Sequence, residues 1–219
     1  MPQMRAGMKE NGARRSRDPE GTRRDILEAA TKLFAEKGVA ESSIRDIARL
    51  SGQNTGMIYY YFEDKQDLFM AVMMEALMGT LGEVLAEEVN TRGDGSARLK
   101  RLLARYLELV DTNPDQALIM MRGLLRLVDR EPTPFAGLMA DRMRVIEDIV
   151  RDGQSSGEFT KTDPAFFSYL FLGIMLMYFF ANLTAENHPQ TGLKPVSRQE
   201  VMKTFENVVL PGLRGGEGG

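Results

Sequence analysis

The sequence predicts an all-α fold: a three-helix N-terminal unit with a helix-turn-helix, then a C-terminal helical bundle, with about nine helices in total. Two observations predict this fold. Apolar residues recur three and four positions apart along most of the chain, and no stretch alternates convincingly with the two-residue period of a strand. Glycine, proline and short polar residues interrupt the apolar pattern at helix-length intervals.

The N-terminal pattern divides into three helical segments between 22 and 62. The first starts near residue 22, has an apolar face that includes Leu27 and Phe34, and ends at Gly38, a residue typical of helix C-termini. The second ends at Gly52. The candidate N-caps are Ser42 or Ser43 for the second segment, Asn54 or Thr55 for the third, and Asp64 for the helix that follows.

Longer amphipathic helices follow. Breakers and apolar positions predict them at 65–89, from Leu99 to Asn113, from Leu118 to Pro132, from Phe135 to Gly153, from Pro164 onward, and from Val201 to Val209. The predicted domains are a flexible basic arm at 1–21, a helix-turn-helix domain at 22–69, a second domain at 70–212 and a flexible tail at 213–219.

Composition excludes several kinds of site. The chain has no cysteine and a single histidine, His188, so disulfides, thiolate metal sites and multi-histidine metal sites are ruled out. His188 stands in a polar loop and is expected to be solvated. No nucleophile–base pair, metal-ligand set or phosphate-binding loop is visible. The protein is therefore not expected to be an enzyme, and we predict no cofactor and no metal.

The charge is distributed unevenly. The net charge is −3, yet residues 1–65 hold 12 basic against 10 acidic residues, while the remainder holds 16 against 21. The arm is the basic part, since residues 1–24 carry seven lysines and arginines against three acids. Its arginines could grip a minor groove, or the arm could be a merely soluble tail. Charge by itself is a weak indication of nucleic-acid binding.

The helix after Pro164 is apolar nearly all round. Its longest apolar run, Tyr169 to Ala181, is shorter than the roughly 20 residues needed to span a bilayer, so no membrane segment is expected. A helix without a polar face must be covered on every side, and a second copy of the chain could provide part of that cover. We therefore expect a homodimer; the alternative is a central core helix in a monomer.

The stretch from Ser43 to Phe62 has the dimensions of a helix-turn-helix, in which the second helix lies in the major groove of DNA. Gly52 stands in the turn. Gly56, near the start of the second helix, would let the main chain approach DNA closely. Three consecutive tyrosines, 59 to 61, follow, and a tyrosine hydroxyl can donate to a phosphate.

At this point the chain resembles a known family. The stretch from Thr22 to Val72 is similar to the DNA-binding domain of TetR/AcrR transcriptional regulators, because it carries ILEAATKLFAEKG, SSIRDIA, the glycine turn and G-x-I-Y-x-Y-F-x-x-K at fixed spacings. The remainder resembles the family only in length, helix number and a GEF-x-x-x-DP stretch from Gly157 to Pro164.

The resemblance implies a set of DNA-binding residues: Ser43 and Arg45 in the second helix, Gln53 and Asn54 at the turn, Thr55, Met57 and Tyr60 facing the groove, and Tyr59, Tyr61 and Lys65 on phosphates. Gln53 departs from the family pattern, in which valine is common at that position. A polar side chain there packs less well or points at DNA instead.

Each of these residues has an alternative role. Ser43 could be only a helix cap, Arg45 could pair with Asp46 or Glu41, Lys65 could be solvated, and Tyr60 could pack on the fourth helix.

The resemblance also implies a C-terminal domain with a ligand cavity and a dimer interface formed by the last two helices, here Asp163–Ala185 and Val196–Leu210. The central helices are rich in methionine, which adapts to varied ligands, so we expect an apolar or aromatic effector. The predicted ligand-binding residues are Tyr106, Met120, Met121, Met139, Met143 and Met175. Arg122 is a further candidate for a polar contact. Ordinary core packing is the alternative for each methionine.

The sequence thus predicts a cytoplasmic repressor that binds double-stranded palindromic operator DNA as a homodimer and is released by a small-molecule effector. The mechanism would be a population shift, because a ligand that prefers a differently spaced dimer removes molecules from the DNA-binding state. The alternative is a regulator with a filled core that is controlled by a partner protein, or not controlled at all.

Overall fold

The computed structural model describes residues 18–89, 91, 93–126 and 134–215. Its helices are α1 (Pro19–Glu41), α2 (Ile44–Ser51), α3 (Thr55–Tyr61), α4 (Lys65–Met78), α5 (Thr80–Val89), α6 (Gly95–Thr112), α7 (Pro114–Arg126), α8 (Pro134–Ser156), α9 (Pro164–Asn187), α10 (Arg198–Thr204) and α11 (Leu210–Arg214). A 3-10 turn, Pro189–Thr191, follows α9, and a π-helical segment, Phe205–Val209, joins α10 to α11. None of the described residues forms a strand, which confirms the all-α prediction.

Both predicted flexible ends are shorter than expected where the structure describes them. Helix α1 begins at Pro19 rather than at residue 22, because Asp18 is extended and proline is well suited to the first helical position. At the other end, Arg214 is helical and Leu213 is buried, so the predicted tail begins later than 213. The rest of the predicted arm, residues 1–17, and of the tail, 216–219, lies outside the described residues.

The N-terminal helices share a core with α4. Phe34 of α1 and Phe69 of α4 are buried and meet edge to face, with ring centroids 5.5 Å apart. Helix α4 packs against both α1 and α7. The core is therefore continuous from the N-terminal unit into the C-terminal bundle, and α4 joins the two.

The single helix predicted at 65–89 is two helices, α4 and α5. The break falls at Gly79, whose φ of −68° and ψ of −120° lie outside the helical region. A Cβ at this position would lie 2.9 Å from the main-chain carbonyl oxygen of Glu75, so glycine fits here without a clash. Sequence reasoning missed the break because the apolar pattern runs through it, with Leu77 buried before Gly79 and Leu85 buried after it.

The GEF-x-x-x-DP stretch connects α8 to α9 and also contacts the start of α6. Gly157 turns the chain with a φ of +79°. Glu158 then accepts hydrogen bonds from the main-chain N–H groups of Gly95 (2.7 Å) and Ser96 (2.9 Å) at the start of α6, where a carboxylate is favoured. Asp163 caps α9 in the same way, by accepting from the next two N–H groups of that helix.

Phe159 of the same stretch packs where two helices lack side chains. A Cβ on Gly153 would lie 2.2 Å from the Phe159 ring, and a Cβ on Gly95 would lie 2.8 Å from it. The end of the chain docks here too, since Thr160 N–H donates to the Leu213 carbonyl at 2.8 Å.

Candidate DNA interface and effector cavity

Helices α2 and α3 form a helix-turn-helix held by local caps. Gly52 turns the chain between them with a φ of +69°, a left-handed conformation that favours glycine. Asn54 is the N-cap of α3, since its side-chain oxygen accepts from Met57 N–H at 2.9 Å. Ile47 of α2 and Ile58 of α3 are fully buried in the core that also holds Phe34 of α1 and Phe69 of α4.

The outer side of α3 is bare. Tyr60 is 77% exposed and Tyr59 is 58% exposed, and Thr55 is exposed beside them. The alternative in which Tyr60 packs on α4 is therefore not what the structure shows. Met57 and Gln53 are half-buried. Large aromatic side chains thus project from a short helix whose inner side is anchored.

Ser43 and Arg45 differ in their contacts. The Ser43 hydroxyl accepts from Asp46 N–H at 3.1 Å and donates to the Asp46 carboxylate at 2.6 Å, so this serine caps α2. That hydrogen bond, with the charge of Arg49, holds the pKa of Asp46 below its usual range. Arg49 forms an ion pair with the Asp46 carboxylate at 2.7 Å. Arg45 is exposed and forms no ion pair with any residue that the structure describes.

Tyr61 and Lys65 form hydrogen bonds that fix α3 and α4 against α1. The Tyr61 hydroxyl donates to the Pro19 carbonyl at 2.9 Å and fixes the start of α1 against α3. Lys65 Nζ donates to the carbonyls of Ala40 (3.1 Å) and Ser42 (2.9 Å) at the end of α1. An ammonium group has three N–H bonds, so Lys65 keeps one donor for another acceptor. It borders a surface cleft that Ser43, Arg45 and Tyr59 also line.

A small cavity lies between α5, α6, α7, α8 and α9. Its volume is about 40 Å³, which accommodates a few water molecules at most. All six predicted ligand-binding residues line it: Tyr106, Met120, Met121, Met139, Met143 and Met175. The remaining lining residues are Leu85, Leu102, Ala117, Leu124, Arg142, Ile146, Phe171, Leu172, Leu176 and Phe179.

The polar side chains at the cavity are Tyr106 and Arg142, as far as the described residues show. Burial raises the pKa of Tyr106, so its hydroxyl stays protonated. Arg142 Nε is buried without a hydrogen-bond partner. Sequence reasoning missed Arg142, although its spacing from Met139 and Ile146 places it on the same face of α8.

Arg122, in contrast, does not line the cavity. Its guanidinium donates to the main-chain carbonyl of Phe34 in α1, so it links α7 to the N-terminal unit. The candidate role of Arg122 as a polar contact for a ligand is therefore not supported by its position.

Helix α9 and the π-helical segment after α10 present a broad apolar surface. Its exposed apolar side chains include Phe166, Tyr169, Leu170, Met177, Phe180 and Val208. An open groove of about 790 Å³ runs between α9 and the C-terminal helices. By length and composition α9 could also cross a membrane, and a third of its most apolar stretch is buried within the single chain.

Two family models match the chain. "Bacterial regulatory proteins, tetR family" matches residues 26–72, and "Tetracyclin repressor-like, C-terminal domain" matches residues 92–178. Together they span more than half of the sequence. The first model covers α2, α3 and most of α1 and α4, and the second covers α6, α7, α8 and most of α9, four of the five helices that line the cavity.

A curated repressor and two solved structures are among the proteins similar to this chain. The transcriptional repressor NicS of Pseudomonas putida is 26% identical over 77% of this chain and 80% of its own length. FadR of Bacillus subtilis, solved with stearoyl-CoA, matches 89% of this chain and 99% of its own at 18% identity and a TM-score of 0.67. AibR, solved with isovaleryl coenzyme A and operator DNA, matches 88% and 98% at 17% identity and a TM-score of 0.67.

Proposed function

Because the chain belongs to the tetR family of bacterial regulatory proteins and is a DNA-binding transcriptional regulator, we propose that it is a cytoplasmic repressor. It binds a palindromic operator as a homodimer, and a small molecule in the C-terminal cavity releases it. Its DNA-binding domain spans about 22–69 and its effector and dimerisation domain about 70–212, and the two meet within α4.

The observation that carries the DNA-binding proposal is that some side chains of α3 anchor the helix while others are exposed. Ile58 is buried and Tyr61 is tied to α1, while Tyr59 and Tyr60 project outward. An anchored helix with a bare outer side suits insertion into a major groove. Arg45, exposed and without an ion pair among the described residues, can reach a phosphate or a base edge from α2.

Dimerisation through α9 and the C-terminal helices, Asp163–Ala185 and Val196–Leu210, would cover the exposed apolar surface. A contiguous apolar surface of this kind on a soluble protein marks an interaction site. The two recognition helices of a dimer must also lie about 34 to 36 Å apart to reach successive half-sites on one side of DNA. The interface between the copies therefore sets DNA affinity.

The effector proposal depends on the cavity. Methionine side chains line it, and they move aside at low cost because they are flexible and unbranched. FadR and AibR were solved with acyl-coenzyme A compounds, which supports the apolar choice in the predicted apolar or aromatic effector. A ligand that enlarges the cavity favours a different dimer spacing, and DNA affinity falls by the ratio of its affinities for the two states.

The small volume of the cavity favours a second candidate, a regulator with a filled core that no cavity ligand controls. Thermal unfolding with a library of apolar and amphipathic compounds separates the two. Stabilisation by a compound that also weakens operator binding supports the effector proposal. A library that shifts neither the midpoint nor the affinity supports the filled core.

Operator binding tests the DNA-binding proposal directly. We expect Arg45→Ala to weaken binding and to lower the slope of log affinity against log salt by about 1, as loss of one phosphate contact does. Tyr59→Phe removes one hydroxyl and should weaken binding with little effect on folding. Arg144→Ala in α8 removes the same charge from an exposed site far along the chain and serves as the control. Equal affinity for all four proteins would contradict the proposal.

A further inference from the structure

The guanidinium of Arg142 is an unusual group to find at the wall of a cavity lined by methionine, leucine and phenylalanine. The side chain is half-buried, and its Nε atom is buried with no hydrogen-bond partner. No described residue forms an ion pair with it. Its neighbours Asp141 and Arg144 pair with each other instead. Arginine stays charged in proteins, so among the side chains that the structure describes no acid compensates this cation at the wall.

The backbone makes room for this cation. A Cβ on Gly82 of α5 would lie 3.0 Å from a terminal nitrogen of Arg142, so the guanidinium lies against a position without a side chain. The group is therefore held between α8 and α5, at the edge of the cavity. A buried charge without a partner is costly, and the cost is relieved when an opposite charge binds beside it.

The second polar group of the cavity, the Tyr106 hydroxyl, is also a hydrogen-bond donor. Tyr106 is 7% exposed, and its hydroxyl has no hydrogen-bond partner among the described residues. Burial raises its pKa, so the hydroxyl keeps its proton. Arg142 and Tyr106 both donate hydrogen bonds, and the other described lining side chains are hydrocarbon or thioether. Among the described lining side chains there is thus no carboxylate to accept from the guanidinium, and an oxyanion would provide such an acceptor.

We infer that the effector is an amphipathic organic anion, an apolar carbon skeleton that ends in a carboxylate, and that Arg142 binds this carboxylate in the cavity. The inference rests on the proposed function, because it names the chemical class of the effector that the proposal requires. Arginine binds a carboxylate through two parallel hydrogen bonds, and Tyr106 can donate a third. The methionines move to admit the hydrocarbon part, since the closed cavity holds only a few water molecules.

Calorimetric titration of the purified full-length protein tests this inference. The probes are hexanoate, decanoate and phenylacetate, the three alcohols with the same skeletons, and decanoyl-CoA, which has the decanoyl chain without a free carboxylate at its end. We expect at least one acid to bind roughly tenfold or more tightly than its alcohol, the factor that a charge-assisted hydrogen bond contributes.

Two variants locate the effect. Arg142→Met keeps an unbranched side chain as long as the arginine stem up to Nε and removes the charged end, so it should abolish the preference for the acid while the alcohol binds as before. Arg144→Met, two residues along the same helix and exposed, is the matched control and should keep the full preference. Thermal unfolding checks the fold, and we expect the midpoint of Arg142→Met to equal or exceed that of the unmodified protein, because an unpaired charge is removed.

The inference is wrong if no acid binds, if the alcohols or decanoyl-CoA bind as tightly as the acids, or if Arg142→Met keeps the preference. Operator binding, measured in parallel, tells this failure from that of the proposed function. If only an alcohol or decanoyl-CoA releases the operator, the proposed function still holds, but the effector belongs to a different chemical class. A protein that binds no operator contradicts the proposed function, whatever the ligand ranking.

Discussion

Arg122 of α7 donates a hydrogen bond to the main-chain carbonyl of Phe34 in α1. The acceptor lies at the end of the regular part of α1, just before Gly38 leaves helical geometry with a φ of +82°. A cation is favoured at a helix C-terminus. Met121, the residue before Arg122, lines the cavity. One short segment of α7 thus contacts both the cavity and the DNA-binding unit.

Replacing Arg122 by methionine should weaken the coupling between effector and operator. We expect the effector-induced loss of operator affinity to shrink by roughly threefold to tenfold, and the free energy of unfolding to fall by about 1 to 2 kcal/mol with the lost hydrogen bond. Fluorescence anisotropy of labelled operator, with and without the tightest-binding acid, measures the first quantity. Arg151→Met, on an exposed part of α8, is the control. An unchanged effector response in Arg122→Met would show that α7 does not transmit the signal through this contact.

The apolar surface of α9 should control the oligomeric state. Tyr169→Arg places a charge on a side chain that is 68% exposed in the single chain, so the monomer should fold while the dimer dissociates. Sedimentation velocity should show a monomer that has also lost tight operator binding. Leu193→Arg, at a comparably exposed apolar residue after the 3-10 turn, should stay dimeric. A dimeric Tyr169→Arg protein would exclude this part of α9 from the interface.

Alanine substitutions at two glycines of α8 should have opposite effects on stability, because only one of the two glycines packs against Phe159. A Cβ on Gly153 would lie 2.2 Å from the Phe159 ring, so Gly153→Ala should lower the free energy of unfolding by about 1 to 3 kcal/mol. Gly137 is exposed in the same helix, and a Cβ there would meet nothing within 4 Å. Gly137→Ala should stabilise the protein by about 0.5 to 1 kcal/mol, because alanine is the better helix former. Chemical denaturation measures both, and equal stabilities would contradict the packing described.

Two glycines of the helix-turn-helix separate folding from DNA binding. Gly52 has a φ of +69°, so Gly52→Ala should cost about 1 kcal/mol or more in stability even though its Cβ meets nothing within 4 Å. Gly56 lies in α3 with ordinary helical geometry and is exposed. A Cβ on Gly56 would lie 3.1 Å from the Asn54 Oδ1 that caps α3, which opposes the higher helix propensity of alanine, so Gly56→Ala should change the unfolding midpoint little. It should weaken operator binding, because the added methyl group keeps the main chain away from DNA. Unaltered operator affinity in Gly56→Ala would place this end of α3 outside the groove.

Local signals in the sequence were sufficient for the helix-turn-helix. Ser43 and Asn54 are caps that act within three residues, and Gly52 sets its own turn, so each can be read without knowledge of the fold. The same holds for Asp163 before α9. The all-α prediction succeeded because helical periodicity is itself a local property.

The rest of the site depends on contacts between distant residues. Glu158 caps α6 from a loop 62 positions away, and Lys65 donates to carbonyls at the end of α1, so neither role is visible in the local pattern. For the same reason Arg122, a candidate from the sequence, lies away from the cavity, and Arg142, which the sequence did not single out, lines it. The family resemblance and the methionine-rich helices predicted which methionines line a cavity, and only the packing of α8 on α5 shows that Arg142 joins them.

Two copies of this chain are expected to bind one duplex through the outer side of α3. Selection of bound fragments from genomic DNA by the purified protein, followed by sedimentation of the complex, measures this directly. We predict recovery of a palindromic sequence, two protomers on each duplex, and affinity that falls steeply with salt. A protein that stays monomeric at micromolar concentration and enriches no sequence would contradict the account.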